Sequence, residues 1–110
     1  MSEPAGELDR TFHALADPNR RAILSVVRNK RCAVGEIADM LGLSQQIVSH
    51  HLKVLRAAGL VTGARSGTRH LFVVRVEGLA VGKGFFEDFW PERLSALKRA
   101  VESSARSSDG

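Results

Sequence analysis

Residues 34–61, VGEIADMLGLSQQIVSHHLKVLRAAGLV, constrain the fold more than any other part of the chain. The segment contains two helical patterns separated by Gly42, which is expected to end the first helix in a left-handed conformation. Ser44 is expected to cap the second helix, which extends to about Ala58 and ends at Gly59. Two helices joined by a short glycine-containing turn are typical of a helix-turn-helix, whose second helix enters the major groove of DNA.

Two further helices are predicted before this segment. Leu8, Phe12 and Leu15 recur with helical spacing and predict a first amphipathic helix. Asp17 followed by Pro18 predicts the start of a second helix, with aspartate as its N-cap and proline in its first turn. The apolar residues of this second helix predict its buried face: Ile23, Leu24 and Val27. Three arginines are expected outside that face: Arg20, Arg21 and Arg28.

A β-hairpin and a closing helix are predicted after the segment. Residues 61–62 and 71–76 have strand character and flank Ser66-Gly67, a hairpin turn signal. The closing helix is predicted from apolar residues with helical spacing: Phe86, Trp90, Leu94, Leu97 and Val101. Pro91 lies within this pattern and is expected to kink the helix or to mark its restart. The predicted fold is therefore mainly α with a β-hairpin wing, a winged helix-turn-helix of order ααααββα.

Length and composition fit one domain. The chain has 110 residues, of which 44% are hydrophobic, and we expect the domain to cover residues 8–102 with flexible tails at 1–7 and 103–110. No apolar run has the roughly 18 residues that a membrane span needs, and no secretory signal is recognisable. The single cysteine, Cys32, fits a reducing cytoplasm. The net charge of +4 is compatible with a polyanionic partner.

The second helix of the 34–61 segment has two chemically distinct faces. At about 100° per residue, Val48, Leu52 and Leu55 share an apolar face that is expected in the core. Polar side chains with donors and acceptors for base edges occupy the opposite arc: Gln46, Ser49, His50 and Lys53. Ser44 and Gln45 place free backbone N–H groups at the start of the helix, where a phosphate could bind.

The neighbouring residues of this helix are expected to differ in role. His51 falls toward the apolar side and is expected to be packed and hydrogen-bonded, whereas His50 points outward. The two rings diverge by about a third of a turn and would chelate a metal poorly. Ile47 lies at the edge of the two faces, where it either packs inside or touches a thymine methyl group.

The tip of the predicted hairpin is basic. Its sequence is Arg65-Ser66-Gly67-Thr68-Arg69, with His70 following the turn. Arginines that flank a tight turn suit phosphates or the minor groove. We therefore expect Arg65, Thr68 and Arg69 to contact DNA as a wing.

Apolar residues of the first and last helices exceed what one small domain buries easily. A large apolar patch of this kind marks an interface, so these residues predict a homodimer. The predicted interface residues are Leu8, Phe12, Leu15, Phe86, Phe89, Trp90, Leu94 and Leu97, with Phe85 beside them. A two-fold dimer would place two helices on a pseudo-palindromic site with half-sites about one helical turn apart.

Three motifs together resemble one family of bacterial regulators. They are FHALADPNRRAIL, the 34–61 segment and GTRHLFVV, and the resemblance covers about residues 12–101. The chain resembles the ArsR/SmtB family, arsenic-repressor-like winged-helix proteins that act as dimeric transcriptional repressors. The resemblance implies a homodimer through the first and last helices, binding to double-stranded operator DNA near promoters, and repression of nearby genes.

The chain departs from the metal-sensing members of that family. Those members carry Cys-x-Cys in the third helix, where this chain has Ala33-Val34-Gly35, with Cys32 one position early and lacking a partner thiol. Other members place Asp and His ligands on the last helix, which here contains no His but has Glu87, Asp88, Glu92 and Glu102. The sequence therefore predicts no metal site, no cofactor and a repressor that acts without metal. A metal- or thiol-responsive repressor is the alternative; the thiol route would require a symmetric Cys32 pair.

Other classes of function have less support from the sequence. No nucleophilic triad, phosphate-binding glycine loop or HExxH motif is present, so an enzyme is not expected. A winged helix used only for protein–protein contact is the remaining alternative, since a fold does not determine function. The polar arc and the arginines of the wing argue against it.

Overall fold

The computed structural model describes residues 3–90 and 97–104. It confirms the predicted winged helix-turn-helix architecture. The elements follow one another as α1 (Glu3–Leu15), α2 (Pro18–Val26), β1 (Cys32–Ala33), α3 (Val34–Leu41), α4 (Gln45–Ala57), β2 (Val61–Ser66), β3 (Arg69–Val74) and α5 (Val76–Glu87). Residues 97–104 are also helical. Helix α1 begins at Glu3, so part of it lies within the segment 1–7 that was predicted as a tail.

The start of α2 agrees with the sequence prediction. The Asp17 carboxylate accepts hydrogen bonds from the backbone N–H groups of Asn19 at 2.7 Å and Arg20 at 3.3 Å. Pro18 occupies the first turn, where the missing N–H group costs little. These local contacts satisfy donors that the helix itself leaves unpaired.

Arg20 corrects one prediction, because its side chain lies inside the protein. Only 7% of its surface is exposed, whereas Arg21 and Arg28 are exposed as expected. The Arg20 guanidinium donates to the backbone carbonyls of Ala14 at 2.7 Å and His13 at 3.0 Å. A buried charge needs such partners, and they come from the last turn of α1. Helical periodicity could not reveal them, since they belong to another element.

The helix-turn-helix is built as the sequence predicts. Gly42 has a φ of 66°, and this left-handed residue ends α3. Ser44 then caps α4 by accepting a hydrogen bond from the Ile47 N–H at 3.1 Å. Ile37 of α3 and Val48 of α4 are fully buried in a single core with residues of α2 and the sheet.

The sheet contains one strand that the sequence analysis missed. Its order is β1-β3-β2, and all pairs are antiparallel. Strand β1 has only two residues, Cys32 and Ala33, which is too short to show the alternation that identifies a strand. Strand β3 ends at Val74 rather than continuing through residue 76, because the Arg75 N–H bonds the Leu60 carbonyl at 2.9 Å and α5 begins at Val76.

The predicted closing helix is interrupted. Helix α5 ends at Glu87, and Phe89 and Trp90 follow it in a turn in which the Trp90 N–H bonds the Glu87 carbonyl at 3.0 Å. Pro91 and Leu94 lie outside the described residues. Helix is therefore described up to residue 87 and again from residue 97, and the two alternatives expected at Pro91, a kink or a restart, concern a residue outside the described ones.

Candidate nucleic-acid interface

Helix α4 has the two faces that its sequence predicts. Val48, Leu52 and Leu55 are at most 2% exposed and form part of the core. The four polar residues of the opposite arc are all exposed: Gln46, Ser49, His50 and Lys53. Ser44 and Gln45 are exposed at the start of the helix as well. A continuous row of donors and acceptors therefore faces solvent along α4.

Ile47 and His51 flank the polar arc and have different environments. Ile47 is 45% exposed, so it does not pack inside and leaves an apolar contact available on the surface. His51 is 7% exposed, as predicted for a packed histidine. Its Nδ1 atom lies 3.3 Å from a guanidinium nitrogen of Arg20. Because arginine only donates hydrogen bonds, Nδ1 must accept here, and the ring is neutral with its proton on Nε2.

The electrostatic environment of His51 favours this neutral form. Burial is the largest cause and lowers the pKa of His51; the charges of Arg20 and His50 lower it further, while the Asp17 carboxylate opposes them. Asp17 lies 3.9 Å from the Arg20 guanidinium. Burial alone would raise the pKa of Asp17, but the hydrogen bonds from two backbone N–H groups and the charges of His51 and Arg20 lower it overall. Arg20 thus connects the end of α1 to the buried side of α4.

The wing is the β2–β3 hairpin. Gly67 has a φ of 64° and Thr68 has a negative φ, a combination that suits a two-residue turn of type II′. The three wing residues proposed from the sequence are exposed: Arg65, Thr68 and Arg69. The turn therefore places two arginines at the tip of the hairpin.

Arg69 has a partner that the sequence did not suggest. Its guanidinium contacts Glu36 Oε1 at 2.5 Å, and the same oxygen accepts the Ala33 N–H at 2.9 Å. The backbone hydrogen bond from Ala33 is the main cause that lowers the pKa of Glu36, and the charge of Arg69 adds to it. Glu36 therefore joins the first turn of α3 to the wing.

A cleft of about 450 Å³ lies between α4 and the wing. Its apolar floor includes Leu52 and Phe72, and its polar lining consists of Ser49, Lys53, Arg56 and His70. Arg56 lies on the last turn of α4 and was not recognised as a site residue from the sequence. At about 100° per residue, its seven-residue separation from Ser49 returns it to nearly the same side, which is the signal that could have found it.

The described residues among those proposed for the dimer interface include an exposed aromatic surface. Phe12 of α1 packs edge-on against Phe85 and Phe86, with ring centres 5.5 and 5.7 Å apart. Phe86, Phe89, Trp90 and Leu97 are 55%, 69%, 49% and 57% exposed. Leu8, Phe12 and Leu15 are half-buried. One chain alone thus leaves much of this surface in contact with water.

In residues 3–90 and 97–104, no group of three or more His, Cys, Asp or Glu side chains is arranged so that it could hold a metal ion. Cys32 is 3% exposed and belongs to the core. In the same described part of the chain, no helix has both the length and the apolarity needed to span a bilayer.

Comparison with known proteins identifies the family. Residues 17–62, which contain α2 to α4, match the family model described as bacterial regulatory protein, arsR family. The chain is 39% identical over 95 residues to the HTH-type transcriptional regulator Rv2034 of Mycobacterium tuberculosis, covering 86% of this chain and 89% of that protein. The chain belongs to the ArsR family. It is accordingly a DNA-binding transcriptional regulator with a helix-turn-helix, and not an enzyme.

Three further proteins show how far the similarity extends. The HTH-type transcriptional repressor SmtB of Mycobacterium tuberculosis is 49% identical over 70 residues, which are 64% of this chain but only 50% of SmtB. An ArsR-like transcriptional regulator from Rhodococcus sp. RHA1 matches the structure with a TM-score of 0.75 and 29% identity, covering 94% of this chain and 98% of that one. The homodimeric winged helix-turn-helix domain of Mb0332 from Mycobacterium bovis matches with a TM-score of 0.65 and 29% identity, covering 90% and 81%.

Proposed function

We propose that this ArsR-family protein is a homodimeric repressor that binds a pseudo-palindromic operator and is released by no metal or thiol signal. In this proposal α4 enters the major groove and the wing contacts the adjacent backbone or minor groove. The proposed DNA-contacting residues are Ser44, Gln45, Gln46, Ser49, His50, Lys53, Arg65, Thr68 and Arg69. Because the target is promoter DNA, the proposed location is the cytoplasm.

The division of α4 into a buried apolar face and an exposed polar face carries the proposal. Gln46 has the amide geometry that pairs with the N6 and N7 atoms of adenine, and Lys53 suits guanine or a phosphate. All four residues of the polar arc are exposed, so burial in the core does not explain their chemistry. A purely protein-binding winged helix would not need this row of base-edge partners next to an arginine-bearing hairpin.

The exposed aromatic surface supports a homodimer. Apolar area of this kind is unfavourable in water and is typical of a protein interface. The Mb0332 domain, which has the same fold, is homodimeric. In a two-fold dimer the two α4 helices would contact half-sites about one helical turn apart, which is why a pseudo-palindrome is expected.

Two relatives support repression as the mode of action. SmtB of Mycobacterium tuberculosis and SdpR of Bacillus subtilis are both named transcriptional repressors. SdpR is 33% identical over 60 residues, 67% of its length. A dimer that covers promoter DNA would exclude RNA polymerase, and nothing more than DNA binding is needed for that effect.

The environment of Cys32 supports independence from thiol signals. A reactive cysteine is usually accessible and lies in an electropositive setting. Cys32 Sγ instead lies in the core and contacts the Lys30 carbonyl oxygen at 3.6 Å. A symmetric disulfide between two Cys32 residues would require the core of each protomer to open.

A gel shift on the DNA upstream of the protein's own gene tests the proposal. The complex should form at nanomolar to micromolar protein and should persist with zinc, with a chelator and with a reductant or oxidant. Release by zinc or by oxidation would favour the metal- or thiol-responsive alternative. Failure to retard any upstream fragment, with binding to a protein partner instead, would favour the protein-binding alternative.

A further inference from the structure

If α4 and the wing bind neighbouring grooves of a DNA duplex, a defined part of the DNA lies over the cleft between them. In the proposed function, on which the following inference rests, α4 occupies a major groove and the wing reaches the neighbouring minor groove. Adjacent major and minor grooves are separated by one sugar–phosphate strand. That strand must therefore pass over the cleft between α4 and the hairpin.

The chemistry of the cleft fits a sugar–phosphate strand. Lys53 and Arg56 contribute two positive charges from α4, and both side chains are exposed. His70 contributes a ring with N–H donor capacity from the opposite side, on β3. Phe72 and Leu52 provide an apolar floor of the kind that deoxyribose carbons can contact. Among the described residues that line the cleft, none is acidic.

The position of His70 depends on a neighbouring glycine. The His70 ring packs on the Phe72 ring with their centres 4.5 Å apart. Both rings lie across Gly63 of β2, where a Cβ atom would approach His70 Nε2 to 2.6 Å and the Phe72 ring to 3.0 Å. The absence of a side chain at this position therefore leaves room for the histidine ring over β2, at the edge of the cleft. The ring is held before any DNA arrives, so less conformational entropy is lost on binding.

We propose that this cleft is a binding site for the DNA backbone strand between the two grooves, in which Arg56 and His70 contact phosphates together with Lys53. Arg56 and His70 are then DNA-contacting residues beyond the recognition arc and the wing tip. Because every DNA sequence has the same phosphates, the site contributes affinity and register and no direct base preference.

The salt dependence of binding tests the role of Arg56. Each phosphate neutralised by a cationic side chain contributes about 0.9 to the slope of log K against log salt. For Arg56→Ala we therefore expect a slope lower by about 1, so that the loss of affinity between 50 and 200 mM salt is smaller by about 3.5-fold than in the wild type. The sequence preference should not change.

Arg10→Ala is the matched control, because it removes one exposed cation from the groove between α1 and the Val54 side of α4. Its slope should remain close to that of the wild type.

His70→Phe tests the ring contact without removing the packing. The phenyl ring can still lie on Phe72 and over Gly63, so the fold should be preserved, as thermal unfolding can verify. Loss of the N–H donor should lower the affinity for all sequences about threefold to tenfold. An unchanged affinity in a folded variant would remove His70 from the site.

Phosphate ethylation interference locates the contacts on the DNA. On a bound upstream duplex, the wild-type protein should show interference at phosphates on the strand between the contacted major groove and the adjacent minor groove. In Arg56→Ala one of these signals should disappear while the rest persist. If the wild type binds specifically but Arg56→Ala keeps both the slope and every signal, the cleft proposal is wrong and the proposed function stands. If the wild type binds no DNA, both are wrong.

Discussion

The Arg20–His51 contact shows how a single residue couples distant parts of the fold. Arg20 donates to carbonyls at the end of α1 and to His51 on the buried side of α4. Protonation of His51 would place a second cation against the guanidinium and remove the acceptor on Nδ1. The resulting stability effect has a defined sign. Burial and the nearby cations lower the pKa of folded His51, so the unfolded chain binds more protons and stability falls as the pH drops.

We predict that the free energy of unfolding decreases as the pH is lowered below about 6.5, the ordinary value for an unfolded histidine. The contribution of His51 has a slope of at most about 1.4 kcal/mol per pH unit, and it ends once folded His51 also binds its proton. Urea unfolding at a series of pH values measures it. In His51→Gln this part of the pH dependence should be reduced. His13→Gln, which removes an exposed histidine that is not among the groups shifting the pKa of His51, is the control. An equal reduction in both variants would contradict the prediction.

Gly78 is a second residue whose role only the fold reveals. A Cβ atom at this position would lie 1.8 Å from the Gly59 carbonyl oxygen, which is backbone and cannot rotate away. We expect Gly78→Ala to destabilise the protein by about 1–3 kcal/mol or more. Gly84 lies in the same helix, where no other segment of the described residues comes within 4 Å of an added Cβ atom. Gly84→Ala should instead be neutral or stabilise by about 0.5–1 kcal/mol. Thermal unfolding measures the stability of both variants. A Gly84→Ala variant that is less stable than Gly78→Ala would contradict the packing argument.

Among the elements, the wing and α3 are joined through one carboxylate. Glu36 accepts from Arg69 while it also accepts the Ala33 N–H. If Arg69 contacts DNA as proposed, Glu36 would compete with a phosphate for the arginine. We predict that Glu36→Gln raises the affinity for DNA of any sequence and that Arg69→Ala lowers it with a flatter salt slope. Glutamine keeps an acceptor for the Ala33 N–H, so α3 should stay capped.

Fluorescence anisotropy titrations at several salt concentrations measure the DNA affinity of each variant and the salt slope of that affinity. Glu77→Gln, at an exposed position in the first turn of α5, is the control for the loss of one negative charge. A weaker complex in Glu36→Gln, with the control unchanged, would show that the ion pair holds the wing in its binding position and would contradict the competition.

The elements also show which features a sequence can predict. The start of α2, the end of α3 and the start of α4 were predictable from Asp17, Gly42 and Ser44. Each of these residues affects only backbone groups a few positions away in the chain. The two faces of α4 followed from periodicity for the same reason. The burial of Arg20 and the pairing of β1 with β3 depend on contacts with other segments of the chain, so no local sequence pattern predicts them. The cleft likewise requires the hairpin to fold back beside α4, and Arg56 alone does not indicate this.

For the whole molecule, the main open feature is the exposed aromatic surface near α1 and α5, which a single chain leaves in contact with solvent. Trp90 is 49% exposed, and Lys98 Nζ lies 6.0 Å from the centre of its ring. We predict that Trp90→Ala shifts the protein from dimer toward monomer, because truncation of an aromatic anchor at an interface typically costs about 2 kcal/mol or more. Sedimentation equilibrium measures the dissociation constant.

The control for the dimer is another exposed apolar residue outside this surface. Met40 of α3 is 68% exposed, and Met40→Ala should leave the dimer dissociation constant unchanged. A wild-type protein that is monomeric at micromolar concentration, or a Trp90→Ala variant with an intact dimer, would contradict the proposed interface.

Selection of bound duplexes from a randomised DNA pool tests the central claim, that the exposed arc of α4 recognises base edges. The wild type should enrich a two-fold symmetric motif with half-sites about one helical turn apart. Gln46→Ala and His50→Ala should each lose preference at one position per half-site, worth about 1–3 kcal/mol of discrimination, and keep the rest of the motif. Enrichment of no motif, or of the same motif by the wild type and both variants, would contradict the assignment of α4 as the recognition helix.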